Sequence, residues 1–222
     1  MLRRDAANIK SGEALLLRHS PEDEMDIIVD ATARDPLSPT NQPHVIPRGT
    51  ILAPLGATGH YAAVRRTTLA TNMAATTVAQ VVDARPFATG DVCSIFTVTG
   101  DYEVAVTVAA AATVAALDYA LNTLTFGGAV AAAATGAYVE VAINGHMAML
   151  AHPTSYDAVI LLDDLQNQTD PPAATTFCVP SRGAFGGSAR SANLRGPSNA
   201  GPDPLIEYAM RNFTFIPATP GA

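Results

Sequence analysis

Short runs in which apolar and polar positions alternate dominate the chain, and they predict strands rather than long helices. Residues 137–143 (AYVEVAI) follow the two-residue alternation of a strand, and Met25 to Ala31 (MDIIVDA) form one short apolar strand. Similar runs flank the segment DYALN, in which Asp118 and Asn122 are turn formers, so this segment predicts a hairpin. The pattern as a whole predicts a mainly β protein.

Two alanine-rich runs need separate treatment, because alanine is the best helix former. Residues 109–116 are interleaved with Thr and Val and bounded by strand signals, so they predict a strand, whereas residues 129–134 predict a loop or one helical turn. Residues 202–212 (PDPLIEYAMRN) fit a short amphipathic helix, and FTFIP after them predicts a final strand. Residues 181–204, rich in Gly, Ser and Asn, predict a long loop.

Composition shifts divide the chain into three parts. Residues 1–45 are polar, with an acidic run (PEDEMD) and prolines at 36, 39 and 43, so they predict an extended N-terminal arm and linker. Residues 63–150 form a self-contained series of strand and turn signals, which predicts an inserted β domain. Residues 46–62 together with 151–222 are left to form the core β domain.

The charge pattern narrows the classes of partner. The chain has 222 residues and a formal net charge of −7, with charged residues at 15% and hydrophobic residues at 48%. No Lys or Arg occurs between Arg85 and Arg182, and Lys10 is the single lysine. Nucleic-acid binding needs cations gathered on one face, so we expect no DNA or RNA partner. Sparse charge and small apolar residues favour a protein that packs against other proteins.

Cysteines and apolar runs bear on the compartment. Cys93 and Cys178 are far apart in strand-like contexts and predict buried free thiols rather than a disulfide. The N-terminus lacks an apolar signal region, and no stretch reaches the roughly 18 apolar residues of a membrane helix. We therefore expect a soluble protein synthesised in a cytoplasm, without a membrane partner.

Candidate catalytic and metal motifs are weak. The segment GAFGGSAR lacks the Lys and Ser or Thr of a phosphate-binding loop, and no Gly-X-Ser-X-Gly motif occurs. Ser155, His152 and either Asp163 or Asp164 are the residues for a hydrolase triad, but no oxyanion loop accompanies them. The segment DDLQNQTD offers oxygen ligands for Ca²⁺ without the EF-hand spacing. We expect no enzyme, cofactor, metal site or small-molecule substrate, and we interpret the aspartate pair as a strand terminus.

Two separate segments carry a family resemblance. IPRGTILAPLGATGHYAAV (residues 46–64) contains a glycine that introduces a strand and a TGHY turn, and YDAVILLDDLQNQTDPPAATTFCVPSRGAF (residues 156–185) places an apolar strand before a polar loop and a second strand. Both are similar to segments of lambda-like phage head decoration proteins. The resemblance implies a core domain shaped as a small β-barrel or β-tulip, interrupted by the inserted β domain.

The resemblance also implies a function and partners. Such a protein is a capsid cement protein, a homotrimer on the outer surface of a tailed-phage head that binds the major capsid protein and stabilises the shell. Its N-terminal arm pairs with a capsid strand, so the contact candidates here are Ile27, Ile28 and Val29, with Arg3 and Arg4. The expected location is the virion, after synthesis in the host cytoplasm.

One alternative is that the protein is a different structural component of the virion. The protein is then a head fibre, tail or baseplate component whose module 63–150 binds a host receptor or glycan. That role requires exposed aromatic side chains on the module, where the available ones are Phe87, Phe96, Tyr102, Tyr119, Phe126 and Tyr138.

Overall fold

The strands of a computed structural model account for most of the described chain, and the protein is mainly β. The structure describes residues 16–18, 23–30, 33–37, 45–55, 59–99, 104–143, 146–147, 158–166, 179–190, 194–196, 204–210 and 212–216. The strands are, in chain order, β1 (Leu16–Arg18), β2 (Glu24–Val29), β3 (Val45–Ile46), β4 (Ile51–Pro54), β5 (His60–Ala63), β6 (Arg66–Thr68), β7 (Thr76–Gln80), β8 (Val92–Thr99), β9 (Val104–Asp118), β10 (Thr123–Val130), β11 (Tyr138–Ile143), β12 (His146–Met147), β13 (Val159–Leu161), β14 (Leu165–Gln166), β15 (Val179–Ala184), β16 (Gly187–Arg190) and β17 (Phe213–Ile216). One short helix, α1, covers Pro204–Ala209.

Five strands close a small barrel in the order β13, β15, β2, β5 and β4, with β4 pairing back to β13. All of its pairs are antiparallel except β2 with β5, which is parallel. Alternation along β2 turns Ile27 and Val29 into the core and leaves Ile28 outside, while all three residues of β13 are buried. The barrel interior is filled by aliphatic side chains from strands that are far apart in sequence.

The long loop predicted over residues 181–204 is wrong in its first part, which forms the end of β15 and all of β16. Glycine favours a loop by propensity, but here it is needed for packing. A Cβ built on Gly183 would lie only 2.7 Å from Cγ2 of Val159 on the neighbouring strand β13. Close approach of two strands therefore explains why a glycine-rich segment lies inside a barrel.

Residues between Arg66 and Met147 build a second, seven-stranded sheet. Its strands follow the order β12, β11, β8, β9, β10 and β7, and β6 pairs with β11 on the edge opposite β8. The alanine-rich run is part of the long strand β9, and Asp118 pairs with Thr123 across the turn to β10, so the predicted strand and hairpin are confirmed. The sheet encloses its own apolar core around Phe87, Leu124 and Phe126.

Helix α1 lies between the two cores, as its neighbouring side chains show. Ile206 packs into the barrel core, whereas Leu205 packs against Phe96 and Tyr138 of the second sheet. The rings of Phe96 and Tyr138 stack with their centroids 5.4 Å apart. The helix and the strand after it agree with the prediction, and β17 joins β16 and β1 in a three-stranded sheet. The pair β14 and β3 completes the described strands.

Candidate functional site

The predicted contact strand lies inside the barrel. All six residues of β2 pair with β15, and Ile28 and Val29 also pair with His60 and Tyr61 of β5. Ile27 and Val29 are buried at 3% and 2% exposure, while Ile28 is 45% exposed. The expectation that this part of the arm offers its backbone to a capsid strand is therefore corrected, because strands of the same chain already take those hydrogen bonds.

The chain that follows β2 is held to the same barrel. The N–H of Asp30 donates to the carbonyl of Tyr61 over 2.8 Å, and the Asp30 carboxylate lies 3.4 Å from Nδ1 of His60. Further on, Nη2 of Arg195 donates to the buried Asp35 carboxylate over 2.6 Å. The side chain of Ile28 is thus the predicted contact that the described barrel presents outward. Arg3 and Arg4 lie outside the described residues.

Asp163 and Asp164 have structural partners at the end of β13. The guanidinium of Arg182 donates to both oxygens of Asp163, over 3.1 Å from Nε and 3.0 Å from Nη2. The same Arg182 donates to Glu24 over 2.9 Å, and its pKa is raised chiefly by the hydrogen bond to Asp163. Asp164 Oδ1 accepts the backbone N–H of Arg48 over 2.8 Å. The pair therefore lies just beyond the end of β13 and ties it to β15 and to the turn at Arg48, in agreement with its interpretation as a strand terminus.

These partners bear on the weaker chemical hypotheses. Asp163 holds a bidentate arginine, which does not orient a histidine, and His152 and Ser155 lie outside the described residues. Within the described ranges, no group of three or more His, Cys, Asp or Glu side chains is placed to hold a metal ion. The second half of the segment DDLQNQTD, residues 167–170, also lies outside the described residues.

Two buried ion pairs lie where the chain passes from the barrel into the second sheet, and the sequence reasoning missed both. Arg66 on β6 donates to Glu140 on β11 over 2.7 Å, with both side chains fully buried. The Arg66 guanidinium also lies 5.3 Å from the ring centroid of Tyr138. Next to it, the buried Arg65 pairs with Asp91, and burial lowers the pKa of Arg65. Two adjacent arginines directly after the apolar run 61–64 (YAAV) were the available signal.

Cys93 lies in this region and is a buried free thiol, as predicted. Burial is the largest cause that raises its pKa, and the negative charge of Asp91 adds to the effect. Both effects favour the protonated thiol, the less reactive form of cysteine. Cys178 lies outside the described residues.

Exposed large apolar side chains concentrate on the second sheet. Its exposed members are Val78, Val82, Val92, Val106, Tyr119 and Leu121, whereas Ile28 on the barrel and Ile216 on β17 complete the set among the described residues. Of the module's aromatic side chains, Phe87, Phe96, Phe126 and Tyr138 are buried and Tyr119 is 45% exposed. Tyr102 lies outside the described residues. The described part of the second sheet thus presents apolar side chains to solvent.

Two further findings concern the chain as a whole. None of the described helical segments has the length and hydropathy needed to cross a bilayer. Comparison of the chain with protein-family models, with curated proteins and with solved structures gives no match.

Proposed function

We propose that the protein is a structural virion protein that binds the outer surface of an assembled phage capsid as a trimer and stabilises it. One observation carries the proposal. The two segments that resemble decoration proteins are separated in sequence by all seven strands of the second sheet, yet they supply four strands of one barrel. Residues 46–64 contain β4 and β5, and residues 156–185 contain β13 and β15.

The other described features support a binding role. Three ion pairs, Arg66 with Glu140, Arg182 with Asp163 and Arg195 with Asp35, join distant parts of the same chain. Several large apolar side chains are exposed on the second sheet. A ligand that binds the assembled shell and not its free subunits stabilises the shell by mass action. A trimer that contacts several capsid subunits at once adds to this effect through multivalency.

Ile28 is the contact that this proposal assigns to the barrel. Its side chain is 45% exposed between the buried Ile27 and Val29 near the end of β2, and its backbone pairs with both β15 and β5, so the barrel holds it in place. Arg3 and Arg4 remain the second predicted contact, to acidic groups of the major capsid protein. No enzymatic turnover, cofactor or nucleic acid forms part of the proposal.

The experiment is co-sedimentation of the purified protein with expanded capsids, combined with light scattering to measure its mass. We expect a trimer that sediments with the capsids and raises their resistance to heat. Ile28→Asp should weaken binding at least about tenfold, because a contact residue at the centre of an interface commonly contributes that much. Ile216→Asp is the matched control, since Ile216 is 39% exposed on a different sheet.

Deletion of residues 1–45 is not a suitable test, because it removes β2 from the closed barrel. Substitution of Arg3 and Arg4 by glutamate tests the remainder of the predicted arm and leaves β2 in place. A monomer at high concentration that fails to sediment with expanded capsids would overturn the proposal.

A head fibre, tail or baseplate component remains the second candidate, and Tyr119 favours it. This side chain lies at the turn between β9 and β10 beside Leu121, which is 65% exposed, and its hydroxyl donates to the carbonyl of Phe87 over 3.0 Å. A fixed aromatic ring at a sheet tip suits receptor or glycan contact. Copy number separates the candidates, because hundreds of copies per particle indicate cement and a few indicate a fibre or tail part.

A further inference from the structure

Three arginines from distant segments lie where the barrel joins the second sheet. Arg34 follows β2, Arg65 lies between β5 and β6, and Arg195 follows β16. Asp35, the neighbour of Arg34, accepts a hydrogen bond from Nη2 of Arg195. Burial is the largest cause that lowers the pKa of Arg65, and the nearby positive charge of Arg34 lowers it further. We call Arg34, Arg65 and Arg195 the arginine cluster.

The segments that carry the cluster pack closely at Gly196, the residue after Arg195. A Cβ built on this glycine would lie 3.0 Å from Cγ of Pro36 and 3.3 Å from the carbonyl oxygen of Val64. Its positive φ of 93° also disfavours any other residue at this position. One glycine therefore keeps the backbones of the three segments in contact, and this contact fixes where the arginine side chains begin.

Arg65 is buried with few acceptors around it. Its side chain is 3% exposed, and its Nη2 forms the ion pair with Asp91. Among the described residues, no acceptor bonds to its Nε or Nη1, and none bonds to the buried Nε of Arg195. A guanidinium carries five N–H donors, and a buried donor without an acceptor loses its hydration without compensation. The cluster thus holds three donor atoms that a ligand can satisfy.

The carboxylates described in this region already have partners. Asp91 and Asp35 each accept a second hydrogen bond from a backbone N–H, over 2.7 and 3.0 Å. The Asp30 carboxylate lies 3.4 Å from Nδ1 of His60. These contacts hold the carboxylates in place, so the remaining arginine donors need an acceptor from another source.

We propose that the arginine cluster binds a small oxyanion of the phosphate class. A phosphate group joins negative charge to several acceptor oxygens on one atom, and arginine is the side chain best suited to it. The charge of the ligand also offsets the repulsion between Arg34 and Arg65. A water molecule offers acceptor sites but no charge, so it leaves that repulsion unchanged.

The ligand enters from the side of Arg195, whose side chain is 33% exposed, and Arg65 forms the buried end of the site. Because the ligand binds residues that only the folded chain brings together, it stabilises the fold by mass action. Phosphate binding does not depend on the proposed trimer or on capsid binding.

The test is isothermal titration calorimetry of the full chain with inorganic phosphate, at an ionic strength held constant with sodium chloride. We expect one saturable site per chain. Arg65→Lys and Arg195→Lys keep a positive charge for Asp91 and Asp35 but remove the Nε donors, so each should weaken phosphate binding at least about tenfold. Arg182→Lys is the matched control and should bind like the wild type, since Arg182 is also 33% exposed and paired with a carboxylate.

Urea unfolding gives a second readout. Phosphate should raise the unfolding midpoint of the wild type and of Arg182→Lys until the site is saturated, and it should raise the midpoints of Arg65→Lys and Arg195→Lys less. A general effect of the salt on stability does not saturate and is the same in all four proteins. If Arg65→Lys loses its native circular dichroism spectrum, Arg195→Lys alone serves, because its side chain is partly exposed.

The other outcomes are equally distinct. No heat of binding in the wild type, or equal phosphate affinity in all four proteins, would overturn the inference. Sodium acetate that binds more tightly than phosphate would show that the site takes a carboxylate, and the phosphate assignment would then be wrong. Protein that binds phosphate but fails to bind capsids removes the proposed function and leaves this inference standing.

Discussion

Replacing Glu140 by glutamine keeps the shape of a fully buried side chain and removes its negative charge. Arg66 then stays charged in the interior, because a guanidinium does not lose its proton at any ordinary pH. Both side chains have 0% exposure and their atoms lie 2.7 Å apart, so no water shares the charge. Breaking a buried pair in this way costs about 3–5 kcal/mol of unfolding free energy.

The reverse change behaves differently with pH. Arg66→Met leaves the Glu140 carboxylate buried, but a carboxylate can escape by taking a proton from solvent. For an ordinary glutamate that step costs about 3.7 kcal/mol at pH 7, and about 1.4 kcal/mol less for each pH unit below it. A carboxyl group kept protonated in the folded state favours folding at low pH, so the loss of unfolding free energy caused by Arg66→Met should become smaller towards pH 5. The loss caused by Glu140→Gln should stay the same over this range.

The assay is urea unfolding followed by far-ultraviolet circular dichroism at pH 5, 6 and 7. The double variant Arg66→Met with Glu140→Leu is the control, because replacing both charges by apolar groups is commonly neutral or stabilising by about 1–4 kcal/mol. In thermal unfolding, Glu140→Gln should lower Tm by roughly 6–20 °C. A double variant as unstable as Glu140→Gln alone would refute the reasoning, since packing and not charge would then carry the loss.

Three further outcomes are expected elsewhere in the fold. Gly183→Ala should lower the free energy of unfolding by about 1–3 kcal/mol, because its Cβ would lie 2.7 Å from the β-branched Val159. The control Gly128→Ala has open space around its Cβ, so it should change that free energy by less than about 0.5 kcal/mol in the same urea assay. Cys93 should resist Ellman's reagent in the folded protein and react fully in denaturant. Burial raises the pKa of its thiol, so the protonated thiol favours the folded state below the ordinary thiol pKa of about 8.5. The stability of the wild type should therefore fall relative to that of Cys93→Ala as pH rises above that value. Arg182→Met should cost less than about 1 kcal/mol, because its side chain is 33% exposed and solvent screens its ion pairs; a loss of several kcal/mol would contradict this.

Local chemistry was enough to predict several elements. The turn at residues 119–122 follows from Asp118, whose carboxylate accepts two backbone N–H groups, and from Asn122, which adopts a positive φ of 51°. The alanine-rich β9 was predictable because Thr and Val interrupt it. Helix α1 was predictable as an amphipathic segment, although it begins at Pro204 and not at the first proline of the predicted segment 202–212. These elements depend on side chains and backbone within a few residues of one another.

The candidate contacts could be predicted only in part. The sequence identified β2 as an apolar strand, and alternation separates Ile28 from its two neighbours. It did not reveal that the strand's hydrogen bonds go to β15 and β5, since those strands lie far along the chain. Strand propensity indicates that a segment forms a strand, but it does not identify the strand with which that segment pairs.

By itself, the sequence determined that this protein is mainly β and where its hairpin turn lies. Tertiary structure decided that β2 closes a barrel, that Gly183 belongs to a strand, and that Arg66 meets Glu140, 74 residues away. The physical reason is that these three features depend on contacts between distant segments. Periodicity and propensity are local properties of the sequence. The free-energy cost of a buried charge and the space beside a glycine depend instead on residues from distant segments that folding places next to them.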